Sequence, residues 1–283
     1  MRAWIGNEEQ DEAWQQVTRH WLTRLRASLG GAYTVVESAH FHLVSALDEN
    51  ARGRMLDFLE NGRARLIRTL GDMAWTDTSG KHVMLRFTDS DDYFAYISHF
   101  YPDGEHAASG GIFLRDGYCH IAYPETFTMD AERQTIAHEL AHNLLAQLPL
   151  PLWLNEALAE AFNADLAGGG FAVVDRDLLA EHRSYWNTET IQDFWMGKSF
   201  QDVEGQRVSY SLAAVLLDII NRELRPSSEA FRRFVKQSDW TDAGEAAAGE
   251  QLETGMGEIA RVFLGPGDWS PNPEAWKPKQ EES

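Results

Sequence analysis

Residues 138–142 read His-Glu-Leu-Ala-His, and residues 151–160 read Pro-Leu-Trp-Leu-Asn-Glu-Ala-Leu-Ala-Glu. On a helix, positions i and i+4 share a face, so the imidazoles of His138 and His142 can reach one metal ion. Glu139 is offset around the same helix and can address a water on that ion. The segment has the helical character this needs: Ala137, Leu140, Ala141 and Leu144 are good helix formers, and Asp130 stands where an N-cap is expected.

The second stretch supplies a third ligand. Thirteen residues separate His142 from Glu156, and Pro149 and Pro151 among them end the first helix and let the chain turn back. Glu156 then falls in the first turn of a second helix. Hydrolytic zinc sites keep three protein ligands and leave one position for water, and two His with one Glu form such a set. The three ligating groups are therefore expected to converge, with separations of about 3–5 Å before an ion draws them together. Glu160 lies one turn beyond Glu156 on the same face, where a carboxylate can accept the other N–H of a ligating histidine and fix its orientation. The motif also admits blander readings: two histidines packed in a core, and a solvated helix face carrying Glu156 and Glu160.

Working outward, residues 8–29 have apolar positions at helical spacing, and Gly30-Gly31 stops the helix. Segments 33–37, 40–46 and 81–87 have strand character, with a helix over 49–70 between the last two. Asp89 or Ser90 is expected to cap a helix running to about Tyr101, and 111–114 with 118–122 form a hairpin turning at Asp116-Gly117. From Asp130 the pattern becomes almost wholly helical: 130–146, 152–166, 176–185, 188–196, 207–222 and 227–237. The fold class expected is α+β. An N-terminal α/β lobe with a mixed sheet spans 1–128, a helical lobe 129–266, and a partly ordered tail 267–283.

Composition narrows the function. The chain has 283 residues, with 44 acidic against 25 basic side chains and a formal charge of −19. That balance argues against nucleic acid and against an anionic membrane surface as partners. No apolar run approaches the roughly 18 residues that a membrane span needs. The acidic stretch Met1–Trp14 has no basic region leading into an apolar one, so no signal peptide is expected. Cys119 is the only cysteine, which rules out an internal disulfide and fits a cytoplasmic location. Its strand-like setting suggests a small buried apolar side chain. Oligomeric state is not legible.

His138-Glu-Leu-Ala-His142 followed by Trp153-Leu-Asn-Glu156-Ala-Leu-Ala-Glu160 resembles the gluzincin clan of zinc metallopeptidases, and is most similar to bacterial peptidase MA-like members. The likeness is specific over about 138–161. It implies a thermolysin-like zincin core, Zn²⁺ held by His138, His142 and Glu156, Glu139 as general base, and a peptide or protein as substrate. It further implies an edge strand, here Gly110-Gly111-Ile-Phe-Leu, to which an extended peptide adds by backbone hydrogen bonds; the same residues also read as an ordinary strand. Tyr210, in Ser209-Tyr-Ser-Leu-Ala-Ala, resembles the tyrosine that stabilises the oxyanion in aminopeptidases of the clan, with His182 as the rival donor. Two departures stand out: position 157 is Ala where Gly is frequent, and no Gly-x-Met-Glu-Asn segment occurs, which weakens an aminopeptidase assignment. Alongside a peptidase, two readings remain from the residues: a zinc-stabilised scaffold or binding protein without catalysis, and a helical hairpin with no metal.

Overall fold

The computed structural model describes residues 8–75, 80–101, 110–168 and 175–276. The protein is α+β, and contact density divides it after Leu145 into two compact units.

The first unit is built on a five-stranded mixed sheet. Its strands are β1 (Thr34–Glu37), β2 (Phe41–Ser45), β3 (His82–Phe87), β4 (Ile112–Leu114) and β5 (His120–Pro124), in the order β1-β2-β3-β5-β4. β2, β3 and β5 are parallel neighbours, and the edge strands β1 and β4 run antiparallel. Every residue of β2, β3 and β5 is buried, because helices cover both faces. Alternation along β3 sorts the two sides. Val83, Leu85 and Phe87 join Leu22 of α1 (Glu8–Leu29) and Tyr93 and Ile97 of α3 (Ser90–Ile97) in one core. Side chains of opposite parity meet α2 (Glu49–Leu70) and α4 (Met129–Leu145): His82 Nε2 accepts from Arg63 Nε of α2 at 3.2 Å, and Arg86 bonds Glu132 of α4.

Local chemistry accounts for the helix ends. Asp48 accepts from Ala51 N at 2.8 Å and caps α2, and Asp89 accepts from Asp91 N at 2.6 Å at the start of α3. α3 stops at Ile97 rather than near Tyr101, closing in tight turns. At α4 the expected cap is corrected: Thr128 Oγ1 accepts from Ala131 N at 3.1 Å, and Asp130 lies inside the first turn. The loop of the β4–β5 hairpin is also longer than expected. Leu114 pairs with His120, so residues 115–119 form the loop, with Gly117 at φ +72°. Cys119 accordingly sits in that loop, half-buried, rather than inside a strand.

The second unit is helical: α5 (Leu152–Ala167), α6 (Arg176–Tyr185), α7 (Thr190–Trp195), α8 (Gln206–Ile219), α9 (Ser228–Gln237), α10 (Glu245–Gln251), α11 (Met256–Leu264) and α12 (Pro273–Trp276). α5 packs along α8, and Trp153, fully buried, donates from Nε1 to the Ala243 carbonyl at 3.0 Å. Pro151 occupies the N-cap of α5 in an extended conformation, and the Pro149 carbonyl accepts from Trp240 N at 2.9 Å. α8 ends in a π-turn over Ile220–Leu224, closed by Arg225 at φ 48°. The chain after Gly265 is tied back: Trp195 Nε1 donates to the Trp269 carbonyl at 2.9 Å, and Trp276 Nε1 donates to Gln192 Oε1 at 3.0 Å. Residues 277–283 of the expected tail lie outside those described.

Candidate metal centre

The placement of α4 is decided by which of its residues are buried. Glu132, Ile136, Glu139 and Asn143 recur at helical spacing along its length and are all buried. Near its start, Arg86 Nε donates to Glu132 Oε1 at 2.6 Å, with both side chains at 5% exposure or less, and Arg86 Nη2 lies 3.4 Å from Glu125 Oε1. Burial pushes the Glu132 carboxyl up, while Arg86 pulls it back down. This ion pair was not anticipated from the sequence; its signal is Glu132, two turns before Glu139 on the same face.

His138 and His142 face each other one turn apart, half-buried, with Nε2 to Nε2 at 3.0 Å and ring planes 78° apart. One ligand atom from each of His138, His142 and Glu156 lies within 4.8 Å of the other two, the separation expected from the sequence. Glu156, on α5, is 8% exposed, as is Glu139. The set can be tested against the ion. Two nitrogens about 2.0–2.1 Å from a tetrahedral zinc stand about 3.3–3.4 Å apart, so an Nε2 pair at 3.0 Å needs to open by only a few tenths of an ångström. Two imidazoles and a carboxylate are a donor set suited to zinc and poor for calcium or magnesium, which take oxygen ligands. Among the described residues this is the one group of three or more such side chains able to hold an ion.

The remaining expected residues are placed as follows. Glu160 is half-buried on α5, one turn beyond Glu156. Gly110 and Gly111 lead directly into β4, which is an edge strand, and Gly111 lies against α4 near Glu139. Tyr210 is half-buried on α8, the helix that packs along α5, with its ring edge-on to Phe200 at 5.3 Å.

His182 is fully buried on α6 and both ring nitrogens are engaged. Trp186 Nε1, which can only donate, bonds Nδ1 at 2.9 Å, so Nε2 carries the proton and faces Ser211 Oγ at 3.0 Å. Burial lowers its pKa from 6.5 to about 4. His182 is thus a neutral core histidine with no N–H left for an oxyanion.

No protein-family model matches this chain, and no characterised protein matches it in sequence.

Proposed function

We propose that this protein is a zinc-dependent peptidase with a thermolysin-like core, in which His138, His142 and Glu156 hold the ion and Glu139 is the general base. The observation that carries the reading is the convergence of the three ligand atoms within 4.8 Å, with a buried carboxylate, Glu139, next to the first histidine. A zinc ion in that set supplies a Lewis acid for the scissile carbonyl and lowers the pKa of a water toward about 7.

The protein's own groups account for the remaining steps. Glu139 takes the proton from the attacking water and passes it to the leaving nitrogen. Glu139 is 8% exposed, so few of its contacts are with bulk water. Glu160 orients a ligating histidine through the ring nitrogen that does not bind the ion. The phenol of Tyr210 donates to the developing oxyanion. An extended peptide adds to β4 at Gly110-Gly111 through main-chain hydrogen bonds, the geometry that an antiparallel edge strand offers. The single cysteine fits a peptidase that works on peptides in the cytoplasm.

The experiment is hydrolysis of a random peptide library by zinc-loaded wild type and by Glu139→Gln. The proposal expects cleavage by wild type and loss of nearly all of it in Glu139→Gln at unchanged zinc content. A Glu139→Gln protein that cleaves as wild type would refute Glu139 as the base. Zinc binding without cleavage by either protein would leave a zinc-stabilised scaffold.

A further inference from the structure

Gly111 stands where no side chain fits. A Cβ placed on it would lie 2.3 Å from Thr135 Cγ2, 3.3 Å from Tyr123 Cβ and 3.6 Å from Glu139 Cγ. The first distance is far inside the roughly 3.5–4.0 Å at which carbons attract, and the third is ordinary contact. The backbone of Gly111 is not in the left-handed region, so space rather than conformation demands the glycine. Thr135 lies on α4 one turn before Glu139, on the same helical face. A threonine on a helix has two open χ1 rotamers, so moving its methyl means leaving the one it occupies here.

We propose that Thr135 is a positioning residue: its methyl, seated against the bare Cα of Gly111, fixes how closely the chain entering β4 approaches Glu139. The inference rests on the peptidase reading above and deepens it. A peptide paired to β4 takes its position from that strand, so the Gly111–Thr135 contact sets where the scissile carbonyl stands relative to the base. Tyr123, fully buried on β5, borders the same seat through its Cβ.

The test compares four full-length, zinc-loaded proteins: wild type, Gly111→Ala, Gly111→Ala with Thr135→Ser, and Gly111→Ala with Thr135→Val. Serine removes Cγ2, whereas valine keeps it. With a peptide from the library as substrate, Gly111→Ala is expected to lose about 10–100-fold in kcat, the scale of a misplacement of about 1 Å. KM should change less than about threefold, because the strand's hydrogen-bonding edge survives, and zinc content should hold. Thr135→Ser should restore most of the lost kcat, and Thr135→Val none.

A purely structural role would lower the melting temperature without separating kcat from KM in the folded, zinc-loaded protein. Wild-type kcat in Gly111→Ala, or identical behaviour of the serine and valine double variants, overturns the proposal. If Gly111→Ala does not fold, rescue of folding by serine and not valine upholds the contact, and rescue by neither overturns it. A wild type that cleaves nothing removes the peptidase reading instead. The positioning role falls with it, and melting temperature then reads the Gly111–Thr135 contact only as packing, where alanine should cost several degrees and serine return them.

Discussion

Glu132→Leu removes the carboxylate that holds Arg86 under α4. In the native protein Arg86 Nε and Glu132 Oε1 are 2.6 Å apart, with side chains 5% and 2% exposed. Losing one member of a buried pair leaves a desolvated charge and costs about 3–5 kcal/mol. Glu125, 3.4 Å from Arg86 Nη2 and half exposed, remains as a weak partner, so the cost should fall toward about 3 kcal/mol. Arg86→Met is milder, about 1–3 kcal/mol, because the stranded Glu132 can take a proton and become neutral. Its sign with pH follows. Burial already raises the Glu132 carboxyl above its ordinary 4.5, and without Arg86 it rises further. A raised carboxyl pKa favours the folded state below the unfolded value and loses that contribution as pH climbs through the folded one. The Arg86→Met deficit should therefore be smallest near pH 4 and grow toward neutrality. The double variant Arg86→Met with Glu132→Leu exchanges the pair for an apolar contact and should lie within about 1 kcal/mol of wild type. Urea denaturation of the four proteins closes the cycle. A Glu132→Leu cost below about 1 kcal/mol, or a double variant as unstable as the sum of the singles, would refute the role given to this pair.

Three further outcomes follow from the same geometry. His182 has a folded pKa of about 4 against 6.5, so its contribution is complete above pH 6.5 and is lost as pH falls toward 4, a term on the order of 3 kcal/mol; His182→Gln should flatten the acid limb of stability between those values in urea titrations, and an unchanged slope would contradict it. Tyr210→Phe should lower kcat by about 10²–10³ with KM and zinc content nearly unchanged, and full activity would remove Tyr210 from the mechanism. Glu160→Ala should weaken zinc affinity or activity by about 10–100-fold, read by competition with a chelator, and wild-type values would make Glu160 a surface carboxylate.

The elements that carry the site were legible because each has a local cause. His138, His142 and Glu139 sit at helical spacing in a run of helix formers. The α5 helix begins where Pro149 and Pro151 forbid continuation of α4. What escaped depends on partners distant in sequence. Glu132 looks like any acidic residue in a first helical turn until Arg86, 46 residues earlier, lies beneath it. Gly111 reads as one more residue at the head of a strand until Thr135 fills the space beside it. His182 has the chemistry of an oxyanion donor, and only Trp186 and Ser211 show that both nitrogens are used. Sequence character changes from mixed to helical at Asp130, yet the compact unit extends through Leu145, because the buried face of α4 belongs with the sheet. Helices α10 and α11 went unread: glycine begins or interrupts both, and each is under ten residues long.

The central claim is that His138, His142 and Glu156 together hold one zinc ion, and zinc stoichiometry tests it most directly. Purified wild type and three variants, each dialysed against trace zinc and assayed by elemental analysis, give the answer. Wild type and Glu139→Gln should each retain about one equivalent, and His142→Ala and Glu156→Gln should retain far less while remaining folded. Zinc kept by Glu156→Gln and lost by Glu139→Gln would contradict the assignment of ligand and base, and no zinc in wild type would contradict the site itself.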